Sequence, residues 1–84
     1  SKKKIELTPN LDVDGILKAM ESKYNGERIT TIDGVKIDFK ESWVHLRKSN
    51  TEPIIRIYTE AMTADAANSL ANKIISEIKA IASI

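Results

Sequence analysis

Two arginines, Arg47 and Arg56, stand on either side of a short polar loop in the stretch RKSNTEPIIRIY, residues 47–58. The residues around and between them are types that bind an anion. The Ser49 and Thr51 hydroxyls and the Asn50 amide are neutral donors, and successive small polar residues in a tight loop can turn several backbone N–H groups inward. Arg47 can give a phosphate or carboxylate two parallel hydrogen bonds, which a lysine cannot copy. Arg56, on the following strand, can come back toward the same end of the hairpin. Pro53 disfavours helical backbone at Glu52 and stiffens the loop exit, which lowers the entropy lost when a ligand is held. The same composition also makes an ordinary turn with solvated arginines, in which Glu52 pairs with Arg47 or Arg56.

The elements that must position this loop follow from periodicity. Ile5 and Leu7 alternate in KKKIELTP and the run stops at Pro9, which predicts a short first strand and a turn. From Asn10 or Asp12 onward, Val13, Ile16, Leu17, Met20 and Tyr24 recur at three- and four-residue intervals, the signature of a helix ending near Asn25-Gly26. Gly15 weakens that helix and marks its first turn or a close contact. RITTID and VKIDFK then read as strands joined at Asp33-Gly34, a pair suited to a type I′ hairpin because both central positions need positive φ. A second turn at Glu41-Ser42 leads into WVHLRK, with Val44 and Leu46 on one face and Trp43, His45 and Arg47 on the other. After the loop, Ile55 and Ile57 lie opposite Arg56, Tyr58 and Glu60. The last segment carries an apolar stripe of Ala67, Leu70, Ala71, Ile74, Ile75, Ile78, Ile81 and Ala82, with Thr63 as N-cap and Asp65 in the first turn. The order is β-α-β-β-β-β-α, an α+β two-layer sandwich: an antiparallel sheet with two helices on one face and the other face open or covered by something else.

Composition sets the outer limits. Eighty-four residues make one domain, 1–84, with a thin core. Hydrophobic residues at 42% and charged ones at 30% are the balance of an ordinary soluble domain, expected in the cytoplasm, and no apolar run approaches a membrane span. Lys2–Lys4 lacks the apolar region of a signal peptide. The absence of cysteine removes disulfides and thiolate ligands, and His45 has no second His to share a metal with. A net charge of +1 is far from the basic excess of a nucleic-acid binder, so any anion site is local.

The motif R-x-S-N-T-E-P-x-x-R-x-Y resembles the phosphate-binding loop in the C-terminal domain of the α-D-phosphohexomutases, the family of phosphoglucomutase, phosphomannomutase and the hexosamine phosphate mutases. Arg47, Ser49, Asn50, Thr51, Glu52, Pro53, Arg56 and Tyr58 all fit it. The element order is similar to that domain's TATA-binding-protein-like fold. The resemblance implies that Arg47, Ser49, Asn50 and Thr51 bind the phosphate of a phosphosugar that is not being transferred, with Arg56 as a further contact and Glu52 and Pro53 supporting the loop. Asn50, where many members and the glucosamine mutases especially carry glycine, inclines the likeness toward the phosphoglucomutase and phosphomannomutase branch.

The family's isomerase chemistry passes a phosphoryl group from a phosphoserine through a hexose 1,6-bisphosphate. That chemistry needs a serine loop, a magnesium site of clustered aspartates and a sugar-reading loop, none of which this chain carries. Asp12, Asp14 and Gly15 do not form the family's D-G-D-G-D-R metal loop. By resemblance the chain is therefore an excised C-terminal domain, inactive alone, with no metal or catalytic residue of its own. Its partners are a phosphosugar and the other domains of the enzyme, with neither nucleic acid nor membrane. Trp43, His45, Arg47, Arg56 and Tyr58 on an open sheet also suit a single-stranded nucleic-acid module, although the aromatic signature of RRM domains is absent. A protein-interaction domain fits the open face too but leaves the arginines unexplained.

Overall fold

A computed structural model describes all residues, 1–84. Strand β1 (Lys2–Glu6) is followed by helix α1 (Val13–Lys23), strands β2 (Arg28–Thr30), β3 (Val35–Asp38), β4 (Trp43–Lys48) and β5 (Ile54–Glu60), and helix α2 (Ala64–Ala82). The strands form one antiparallel sheet in the order β1-β5-β4-β3-β2, as the α+β reading requires. The first strand thus returns beside the last and places β5 and β4 near the sheet centre.

Alternation decides which face is which. Ile5, Val35, Ile37, Val44, Leu46, Ile55 and Ile57 are all buried toward the helices. Against them pack Ile16, Leu17 and Met20 of α1 and Ala71, Ile74 and Ile78 of α2, at the helical spacing that defines one face. Thr59 is the one buried polar residue, and its hydroxyl donates to the Ala67 carbonyl at 2.7 Å, tying β5 to α2. Of the stripe read from the sequence, Ile81 alone is exposed near the C-terminus, while Ala82 still packs against the core.

Both helix starts follow local chemistry. The Asp12 side chain accepts from the Gly15 N–H at 3.0 Å, and the Thr63 hydroxyl accepts from Ala66 N–H at 3.0 Å. A Cβ at position 15 would come within 2.5 Å of the Asp12 carboxylate, so this glycine leaves room for the cap.

Two turns differ from the sequence reading. β2 stops at Thr30, and only Gly34 has positive φ (74°), so Asp33-Gly34 ends a longer loop and is not the centre of a type I′ turn. Thr31 and Ile32 have no apolar face to bury; Ile32 is 95% exposed, which removes the reason to extend the strand. The next hairpin closes where Phe39 N–H donates to the Ser42 carbonyl at 2.8 Å, which puts its tip at Lys40-Glu41, one residue before the expected Glu41-Ser42.

Candidate functional site

Register brings the two arginines together. Arg47 of β4 and Arg56 of β5 are direct cross-strand partners on the open face, immediately below the loop of residues 49–53. Lys4 of β1 pairs with Arg56 from the other side, so three cations stand in a row across three strands. Like charges set opposite one another repel, and within this row Glu6 faces Lys4 at 3.9 Å and Asp33 faces Arg47 at 3.1 Å, while Arg56 has no carboxylate partner.

The loop above is built on Ser49. Its N–H donates to the Ile54 carbonyl, and its hydroxyl oxygen accepts from the N–H groups of Thr51 and Glu52, each at 3.2 Å. The Ser49 oxygen thus sits where converging backbone donors meet, the place an anionic oxygen would take in a nest. Thr51 Oγ1 lies 3.3 Å from it, and the Asn50 N–H donates to no protein acceptor. Ser49, Asn50, Thr51, Arg47 and Arg56 are therefore grouped at one end of the sheet, with Arg56 turned toward the β1 side, where it borders Lys2, Lys4 and Tyr58. Glu52 pairs with neither arginine, and Pro53 contributes its carbonyl to Leu7 N–H at 2.7 Å, fastening the loop to the end of β1.

Asp14, Asp33, Gly34 and Lys48, which sequence reasoning did not assign to the site, also meet here. A cleft of about 330 Å³ beside the loop is lined by Asp14, Asp33, Gly34, Arg47, Lys48 and Asn50. Asp33 Oδ2 lies 3.1 Å from Arg47 Nη2, and Asp14 Oδ1 lies 2.8 Å from Lys48 Nζ. Asp33 is also held by its backbone, because His45 Nε2–H donates to its carbonyl oxygen. The position of Asp33 was readable in principle: folding β3 on β4 about Lys40-Glu41 sets Val35 opposite Leu46 and brings Asp33-Gly34 beside Arg47.

The carboxylates do not gather elsewhere. No three His, Asp or Glu side chains converge on a point that could hold a metal ion. Asp12 caps α1, Asp14 and Asp33 face Lys48 and Arg47 at the end of β4, and Asp38 faces Lys36 at 3.6 Å. The magnesium implied by the family resemblance has no seat among these residues.

The rest of the open face carries polar and aromatic side chains. Trp43 Nε1–H donates to Glu60 at 3.2 Å, Lys36 Nζ sits 5.0 Å from the Trp43 ring centre, and the His45 and Tyr58 rings are 6.4 Å apart. These contacts occupy the end and middle of the sheet away from the loop.

A polar loop between cation-bearing strands at one end of a β-α-β4-α sandwich defines the class, and comparison with known proteins gives the family. Residues 3–77 match the family described as phosphoglucomutase/phosphomannomutase, C-terminal domain. This chain belongs to that family. It is 45% identical over 75 residues to a phosphoglucosamine/phosphogalactosamine mutase of Sulfurisphaera tokodaii, covering 87% of this chain and 16% of that protein. It is 41% identical over 68 residues to a probable phosphoglucosamine mutase of Methanocella arvoryzae, covering 81% of this chain and 15% of the relative. A phosphoglucomutase/phosphomannomutase of Thermococcus kodakarensis is 44% identical over 61 residues, covering 66% of this chain and 13% of that protein. The chain thus spans about one-sixth or less of the length of the curated relatives it matches. Their names fall on both sides of the branch point, so Asn50 alone does not assign a substrate. No helix is long and apolar enough to cross a membrane.

Proposed function

We propose that this domain clamps the non-transferred phosphate of a hexose phosphate, as the C-terminal part of a longer phosphoglucomutase/phosphomannomutase-type enzyme in the cytoplasm. The observation that carries this reading is the cross-strand pair Arg47 and Arg56 beneath a loop whose donors converge on the Ser49 hydroxyl. A phosphate dianion placed there supplies counter-charge to Arg56, which has no carboxylate partner, and both arginines can reach it through charge-assisted hydrogen bonds. Asn50 N–H, Ser49 Oγ and Thr51 Oγ1 supply neutral donors on the loop side.

The work of these residues is binding and orientation. Fixing one end of the sugar phosphate holds its other end at the reacting centre, and letting go allows a bisphosphorylated intermediate to turn around. Nucleophile, metal and sugar-reading groups then belong to the rest of the enzyme, and the 84-residue chain alone catalyses nothing.

An NMR titration of the labelled domain with inorganic phosphate and with glucose 1-phosphate tests this reading. A dissociation constant near 1 mM, only about −4 kcal/mol, is sufficient if the shifts concentrate at Arg47, Ser49–Thr51 and Arg56. Arg47→Ala and Arg56→Ala are each expected to weaken binding by roughly tenfold or more while the spectrum stays folded, since each removes a hydrogen bond to a charged group. A loop that ignores both ligands, while a short single-stranded RNA shifts Trp43 and Tyr58, transfers the function to the open face.

A further inference from the structure

Resting on the phosphate reading, we infer that Asp33 is a built-in counter-anion for Arg47, which phosphate must displace, and that this carboxylate sets how tightly the site holds its ligand.

Asp33 reaches Arg47 from a different hairpin loop, and the backbone places it there. Its carbonyl is fixed by His45 Nε2–H. The next residue, Gly34, lies so close to β4 that a Cβ would stand 2.1 Å from the Leu46 carbonyl oxygen. The loop is thereby seated on the strand that carries Arg47, and the 3.1 Å contact follows from that seat.

The pair is also built to exchange. With side chains 47% and 64% exposed, it is an open ion pair of the kind that contributes little net stability, so an anion able to offer Arg47 two oxygens can replace it at small cost. Arg56 has no carboxylate within ion-pair distance and is turned toward Lys2, Lys4 and Tyr58, so Asp33 compensates Arg47 alone. A dianion at the loop carries a second charge, the counter-charge that Arg56 lacks. Asp14 holds Lys48 in the same manner at 2.8 Å from the start of α1, so each of the two cations lining the cleft is kept in place by a carboxylate from another element. Without ligand these carboxylates offset repulsion among the cations. With ligand, the negative charge of Asp33 remains beside the phosphate and favours its release, the property a clamp needs when it must open in every turnover.

The experiment compares inorganic phosphate binding to the unaltered domain, Asp33→Asn and Asp38→Asn by NMR at one fixed ionic strength. Asparagine preserves the shape of Asp33 and its backbone bond to His45. Asp38, on the same sheet face but paired with Lys36 at the far end of β3, removes the same charge away from the site. The expected result is phosphate binding about threefold to tenfold tighter in Asp33→Asn, with little change in Asp38→Asn. Binding in Asp33→Asn that is unchanged or weaker overturns the inference, as does equal tightening in both variants. If the unaltered domain shows no shifts at Arg47, Ser49–Thr51 and Arg56, the phosphate reading itself falls and the inference falls with it.

Discussion

Arg47 and Arg56 face each other across adjacent strands, while Gly34 sits on the far side of Arg47 with its backbone pressed against β4. Gly34 has φ 74° and no space for a side chain, since a Cβ would also lie 3.2 Å from the Leu46 carbonyl carbon and 3.3 Å from Arg47 Cα. Gly34→Ala is therefore expected to destabilise the domain by on the order of 2 kcal/mol, read as a lower denaturation midpoint, because the neighbouring atoms are backbone and cannot step aside. The two arginines and the Ser-Asn-Thr loop were legible in the sequence because motif residues lie close along the chain. Asp33 was not assigned to them: from its immediate neighbours it is a turn residue, and only pairing between β3 and β4 makes it a partner of Arg47.

At the scale of elements, caps and stripes were legible because they depend on a few consecutive residues. Asp12 and Thr63 cap the helices they precede, and Ile16, Leu17, Met20, Ala71, Ile74 and Ile78 face the sheet as their spacing demands. What joins the helices was less evident. Tyr24, just after α1, donates its hydroxyl to Glu77 of α2 at 2.5 Å, with its ring edge-on to Phe39 at 5.6 Å. Burial, then the hydrogen bond to Glu77 and its charge, push the Tyr24 phenol well above its ordinary range. The folded state therefore holds this proton more tightly than the unfolded chain. The resulting stabilisation is complete below pH about 10 and is lost as pH rises from there through the folded value. Chemical denaturation from pH 8 to pH 11 should show the unaltered domain losing more stability than Tyr24→Phe; parallel losses would mean that the phenol contributes nothing to alkaline unfolding.

The molecule as a whole is a single sheet with one covered face, and its core is correspondingly thin. Ile74 is fully buried in the centre of α2. Ile74→Ala is expected to cost about 2–5 kcal/mol, a large share of the roughly 4–12 kcal/mol available to a chain of this size, and thermal melts should show it largely unfolded at 37 °C if the total lies at the low end. The open face keeps Arg47 and Arg56 exposed and Trp43 and Tyr58 partly so. By itself the sequence determined the element order, the face each strand buries, the helix starts and the family, because periodicity, caps and a motif of neighbouring residues are all local along the chain. Tertiary structure decided the rest. The β1-β5-β4 order set Lys4, Arg56 and Arg47 in one row, and the β3–β4 register brought Asp33 to Arg47. These are contacts between residues distant in sequence, and only hydrogen-bonded strand pairing over a shared core fixes which of them meet.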